Sequence, residues 1–280
     1  MTATTSEPTA TPTTSRRSGL LDAWSDTATI VQRNLITIRR VPQLLVFSTI
    51  QPVIFVLMFR YVFGGSIRIP GVPYVDYLMP GIFAQTIAFG AINTGIGLAD
   101  DMSKGLIERF RSLPMARSAV LVGRTMADVL RNVFVQALMV AVGFLVGFRF
   151  HQGVLRLGLA FALLLFLGFA LSWVFGLVGL FTKNPETTQA AAFPVMAPLV
   201  FASNAFVDPK YMPSWLRGFA RHEPLSVTIS AVRRLILTPG QGNLLGLAST
   251  RTLVVQSLVW SIAIVAVFAP VAIARYRKVD

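Results

Sequence analysis

Few residues of this chain have the types and spacing for chemistry of their own. Its two histidines, His151 and His222, are far apart, and neither belongs to an HExxH pattern that would set two imidazoles and a carboxylate on one helix face for zinc. Both read as surface or interface residues, even with Glu223 directly after His222. There is no cysteine, which excludes disulfides, thiolate catalysis and cysteine-ligated zinc. No GxSxG nucleophile turn and no GxxxxGK[ST] phosphate loop occurs, so the chain does not hydrolyse ATP through such a loop. Of the 12 acidic residues, only Asp128 falls inside an apolar run. It lies four residues after Arg124 and three before Arg131, a spacing that favours helical ion pairing and predicts a snorkelling cluster near the membrane interface. With no carboxylate at mid-membrane depth, proton antiport is disfavoured.

The stretch with recognition potential is Asp100–Arg117. Gly105 permits a bend, a short helix can follow, and Pro114 stops it. On that helix Leu106, Phe110 and Leu113 share a face, while Glu108, Arg111 and Ser112 face away. Such a helix suits docking into a groove on a soluble partner, with apolar anchors giving contact area and charges fixing orientation. A charged loop resting on lipid headgroups has the same pattern, and the spacing alone does not choose between them.

The elements that hold these residues are dictated by composition. The chain has 280 residues, 54% hydrophobic and 13% charged, with a net charge of +13 and a mean hydropathy of +0.65. Soluble domains carry about 25% charged residues, so these values indicate an all-α membrane protein with its charges in loops. A basic excess in a soluble chain would indicate a nucleic-acid partner, but the apolar runs are too long for a soluble core and none is expected. Arginine outnumbers lysine 21 to 4, a usage that fits a GC-rich bacterial genome. Residues 1–19 read as a disordered tail rich in Thr, Ser and Pro. In residues 20–41, Trp24, Ala28, Val31, Leu35 and Ile38 share a helical face opposite Asp22, Asp26, Arg33 and Arg40, which predicts an amphipathic helix lying in the membrane interface.

Residues 42–280 then hold six apolar stretches: Leu44–Phe63, Leu78–Leu98, Ala119–Phe148, Leu155–Phe181, Gln189–Val207 and Leu253–Ala274. Each is near or above the roughly 20 residues that cross about 30 Å of hydrocarbon. Pro194 and Pro198 predict a kink in the fifth. Arginine and lysine placement puts both termini in the cytoplasm, although the segment Asp208–Arg251, external in this topology, carries Lys210, Arg217, Arg221, Arg233, Arg234 and Arg251 against the rule. Gly143 and Gly147 form a GxxxG on the third stretch, a spacing that can bring helices close.

Tyr77-Leu78-Met79-Pro80-Gly81-Ile82, then Gly97-Leu98-Ala99-Asp100-Asp101 and Gly105–Pro114, resemble the membrane subunit of a type-2 ABC exporter, in the branch of daunorubicin-resistance-like permeases. Met212-Pro213-Ser214-Trp215-Leu216-Arg217 and Glu223-Pro224-Leu225, followed by Arg233-Arg234, agree with a pattern of that family, which has Asn where this chain has Glu223. The resemblance covers about Leu20 to Arg277 and implies six spans in a bacterial plasma membrane, multi-pass, with both termini cytoplasmic. It implies a homodimer or heterodimer of permeases surrounded by membrane lipids and bound to two copies of a separate ATPase. No cofactor is bound by this chain; ATP and Mg belong to the partner. Residues about 101–114 would be the coupling helix, with Gly105, Leu106, Glu108, Arg109, Phe110, Arg111, Leu113 and Pro114 on the ATPase. Residues about 208–240 would form short external helices dipping into the membrane. Phe83, Phe89 and Asn93 on the second span, with Phe193, Met196, Val200 and Asn204 on the fifth, would line the pathway of a bulky apolar or amphipathic cargo such as a drug or lipid. A gradient-driven secondary exporter, a lipid-modifying membrane enzyme and a membrane anchor for a soluble ATPase are the alternatives.

Overall fold

The computed structural model describes residues 42–65, 69, 71–105 and 117–278. The interfacial helix expected over 20–41 and the docking helix beyond Gly105 lie outside them. The described chain is helical almost throughout. Helix α1, Pro42–Leu57, continues into a π-helical turn, Met58–Phe63. Then come α2, Tyr74–Ser103; α3, Arg117–Leu145; α4, Val154–Thr182; and α5, Pro185–Phe201. A 3-10 turn, Pro209–Tyr211, leads to α6, Ser214–His222; α7, Pro224–Ile236; α8, Pro239–Leu244; and α9, Thr250–Lys278.

Four helices, α2, α3, α4 and α9, are long and apolar enough to cross a bilayer. The apolar stretches expected first and fifth also form helices at their places. Helix α1 and its π-helical turn run without a break from Pro42 to Phe63 and so cover the expected Leu44–Phe63. Helix α5 has 17 residues and is displaced towards the N-terminus from the expected Gln189–Val207. Its start is set by Asn184, whose side chain accepts from the backbone N–H groups of Glu186 and Thr187, with Pro185 in the first turn. Its end comes at Phe201, where the chain turns through Ser203, whose hydroxyl accepts from the N–H of Ala205.

Helix α2 is the centre of the bundle. In its apolar window 72% of residues are buried, against 17% for α9, so α9 presents most of its surface outward. The principal packing partner of α2 is α4, and α4 in turn carries α9. The α2–α4 crossing depends on two glycines. A Cβ on Gly95 would fall on the carbonyl oxygen of Phe175, and one on Gly179 would fall on the carbonyl of Gly95. The two main chains therefore touch, as small residues allow in apolar surroundings where packing and not water exclusion drives association.

The GxxxG spacing does not act this way. Helix α3 stops at Leu145, and Gly147 adopts φ 98° in the turn beyond it, so Gly143 and Gly147 share no helical face. A core of Leu78, Met79, Ile82, Phe83, Leu164 and Leu167 fills the space between α2 and its neighbours. Phe59 stacks on Phe206 at 4.5 Å and 9°, tying the π-turn to the chain beyond α5.

Candidate functional site

Helices α1, α2, α3 and α5 enclose a cavity of about 400 Å³. Its wall includes Gln51 from α1, Gln85, Phe89 and Asn93 from α2, Arg131 and Asn132 from α3, and Gln189 and Phe193 from α5. Phe89 and Phe193 both line it and pack on each other, with ring centroids 6.4 Å apart. Apolar rings and carboxamides thus line one space, the usual composition of a small-molecule site.

The one cation on this wall among the described residues is held in place. Arg131 donates from Nη2 to the carbonyl of Gly90 at 2.9 Å and pairs with Asp128 at 3.5 Å. Asp128 also accepts from the Thr94 hydroxyl at 2.5 Å. The helical spacing therefore gives the Arg131 pair correctly and the Arg124 pair wrongly. Arg124 reaches across to α2, where its Nη1 lies 2.8 Å from Asp101. Asp128 is itself buried, at 7% exposure, and so is not part of a snorkelling cluster.

Two acceptors in this region stay open among the described residues. Gln85 and Gln136 are buried, and their Oε1 atoms accept no hydrogen bond. Gln136 donates from Nε2 to the Phe83 carbonyl at 2.8 Å, which fixes its orientation. Of the two, Gln85 lines the cavity. The arrangement can hold a molecule with a flat apolar body and a hydroxyl or amine donor. Among the described residues no group of histidine and carboxylate side chains is arranged for a metal.

The residues expected along a pathway divide into three sets. Phe89, Asn93 and Phe193 line the cavity. Phe83, Met196 and Val200 are buried in the core, Phe83 edge-on to Phe148 at 5.7 Å and near Phe161 at 5.4 Å. Asn204 lies beyond the end of α5 and donates from Nδ2 to Ser226 O and to Ser230 Oγ. Of the docking set, Gly105 alone is described. It ends α2 at φ 66°, its N–H donating to the Met102 carbonyl. Leu106, Glu108, Arg109, Phe110, Arg111, Leu113 and Pro114 lie outside the described residues.

The sequence concealed one arrangement altogether. Arg233, counted among the charges of the external segment, is 1% exposed. Its Nε donates to the Tyr77 carbonyl at 3.0 Å, and its Nη2 to the carbonyls of Asn204 and Ala205 at 2.8 and 3.1 Å. Burial lowers its pKa, countered by Tyr77 and Asp208. The only hint in the sequence is the uncharged run Leu225–Val232 before it, which marks a helix able to lie inside the bundle. Glu223 is also buried and caps α7 by accepting from the N–H groups of Leu225 and Ser226.

Residues 25–237 match the family model described as ABC-2 type transporter. The daunorubicin resistance ABC transporter permease protein DrrB1 of Streptomyces coeruleorubidus is 34% identical over 256 residues, 91% of this chain and 87% of the relative. The probable doxorubicin resistance ABC transporter permease protein DrrC of Mycobacterium tuberculosis is 28% identical, covering 82% of this chain and 80% of its own length. A putative transport permease, ycf38, of Cyanophora paradoxa is 26% identical over 74% of this chain and 72% of its own. The helical bundle with its membrane-length helices, the family match from before α1 to the end of α7, and a permease relative aligned over nearly the whole chain together make this protein a member of the ABC-2 type transporter family.

Proposed function

We propose that this chain is the membrane-spanning permease of an ATP-driven exporter that moves a bulky apolar or amphipathic molecule, a drug or a lipid, out of a bacterial cytoplasm. The observation that carries the reading is the cavity between α1, α2, α3 and α5, where two phenylalanines and several carboxamides line a space of about 400 Å³ against the membrane-length helices α2 and α3. Rings accept flat apolar bodies of varied shape, and the amides supply donors and acceptors without a fixed charge requirement. Phe89, Asn93 and Phe193 are the pathway residues in this reading; Phe83, Met196 and Val200 hold the bundle together.

A permease of this family is the membrane subunit of a transporter, and this chain has no phosphate-loop motif. In our reading, ATP and Mg are bound by a separate ATPase subunit, two copies of which serve two permease chains. The six apolar stretches then cross the inner membrane with both termini cytoplasmic, the short ones helped by neighbouring helices. Residues Gly105–Pro114 would seat on the ATPase, and its closure on ATP would be passed to the spans through them.

The test is flux of a fluorescent amphipathic drug in vesicles holding the permease together with its ATPase. ATP-dependent accumulation that needs both chains supports the reading. Flux driven by a proton gradient without the ATPase would replace it with secondary export, and ATP turnover without any flux would leave only an anchor.

A further inference from the structure

A second cavity, of about 390 Å³, lies between the segment after α5, α7, the loop after α8 and the first turns of α2 and α9. Its charge is unbalanced. Lys210, Arg221 and Arg233 line it, with His222 as a fourth basic group, against a single carboxylate, Asp208. That carboxylate is already engaged at the turn, where its Oδ1 accepts from the Lys210 N–H at 2.9 Å, and it stands 3.8 Å from Lys210 Nζ. The Lys210 ammonium lies against the wall at Gly246, where a Cβ would be 3.8 Å from Nζ. Arg221 donates to no acceptor among the described residues, and neither does Nη1 of Arg233. Asn204 also lines the cavity. Its Nδ2 is used twice, which fixes the amide, and its buried Oδ1 accepts nothing. Leu245, Leu247 and Leu253 supply apolar wall.

Surplus positive charge on the exposed Lys210 and Arg221 and the buried Arg233, with one open acceptor and an apolar side, is the complement of a phosphate ester that carries a free hydroxyl. Guanidinium groups match phosphate oxygens in geometry. We propose that this cavity binds such a phosphate ester group, its oxygens on Lys210, Arg221 and Arg233 and its hydroxyl donating to Asn204 Oδ1. The same chemistry is offered by the headgroup of phosphatidylglycerol and by free glycerol phosphate. The assignment does not depend on what the chain transports.

The experiment uses the full chain in nanodiscs of phosphatidylcholine, with either phosphatidylglycerol added to the lipid or glycerol 3-phosphate added to the buffer. Binding is read from the rise in unfolding temperature and from phospholipid retained in native mass spectra. A rise with the lipid alone assigns the site to the membrane; a rise with both assigns it to the free ester as well. In Lys210→Gln/Arg221→Gln the apparent affinity should fall about tenfold or more, whereas Arg156→Gln, which alters an exposed arginine elsewhere, should leave it unchanged. No rise in either arm, or an equal rise in the double variant, overturns the proposal.

Discussion

The guanidinium carbon of Arg233 stands 3.6 Å from the centroid of the Tyr77 ring, 156 residues away in the chain. The cation lies over the negative face of the ring while its N–H groups bond three main-chain carbonyls, so α7, the start of α2 and the turn after α5 meet at one side chain. In Arg233→Met these buried carbonyls lose their donors. We expect a loss of about 3 kcal/mol of stability, measured as a drop in the unfolding temperature in detergent. Arg233→Lys should recover little of it, because one ammonium on a flexible stem does not reproduce the planar fork.

The close approach of α2 and α4 gives a second test. Gly95→Ala and Gly179→Ala each place a methyl group on main-chain oxygen across the crossing, and neither backbone can yield without parting the helices. Each should cost about 2 kcal/mol or more. Gly218→Ala is the control. It lies within α6 with nothing near its Cβ position, and there the better helix former should be neutral or stabilising by up to about 1 kcal/mol.

Glu223 predicts a pH dependence. Burial pushes its carboxyl up to about 7 from an ordinary 4.5, against the opposing pull of Ser226 and Leu225. Between those two values the folded chain keeps a proton that the unfolded chain has released. The contribution to stability is therefore complete below pH 4.5 and is lost as pH rises through 7, by about 3 kcal/mol in all. Unfolding midpoints from pH 4 to 8 should show this decline, and Glu223→Gln should flatten it. Parallel curves for the two proteins would contradict it.

The transport reading predicts that Phe89→Ala and Phe193→Ala each weaken drug binding about two- to tenfold, the contribution of one aromatic contact, and that the pair of changes together does less than the product. Phe83→Ala should instead act on folding, lowering expression and the unfolding temperature by loss of about 3–5 kcal/mol. Drug-quenching titrations and thermal unfolding separate the two behaviours.

The docking stretch predicts that Glu108→Ala, Arg109→Ala or Phe110→Ala abolishes export and weakens co-purification of the ATPase while membrane insertion stays intact. Three variants that pump normally would remove the docking assignment.

The long helices were legible because 20 or more apolar residues in a row have few other fates. The bounds of α5 were harder to read, since Asn184 and Pro185 set its start by capping, which leaves no trace in average hydropathy. Along one helix, spacing found the partner of Asp128 at Arg131. It misassigned Arg124, whose carboxylate lies on another helix, because a local rule ranks only local partners. Arg233 failed for the same reason. In the sequence it is one basic residue among several, and only the fold brings three carbonyls and a ring around it.

Helices α2 and α4 touch main chain to main chain at Gly95 and Gly179, where there is room for a hydrogen and nothing larger. A slide of one residue along either axis would bring a side chain into that gap. The two are therefore expected to move as one beam, with any relative displacement falling between that pair and its neighbours.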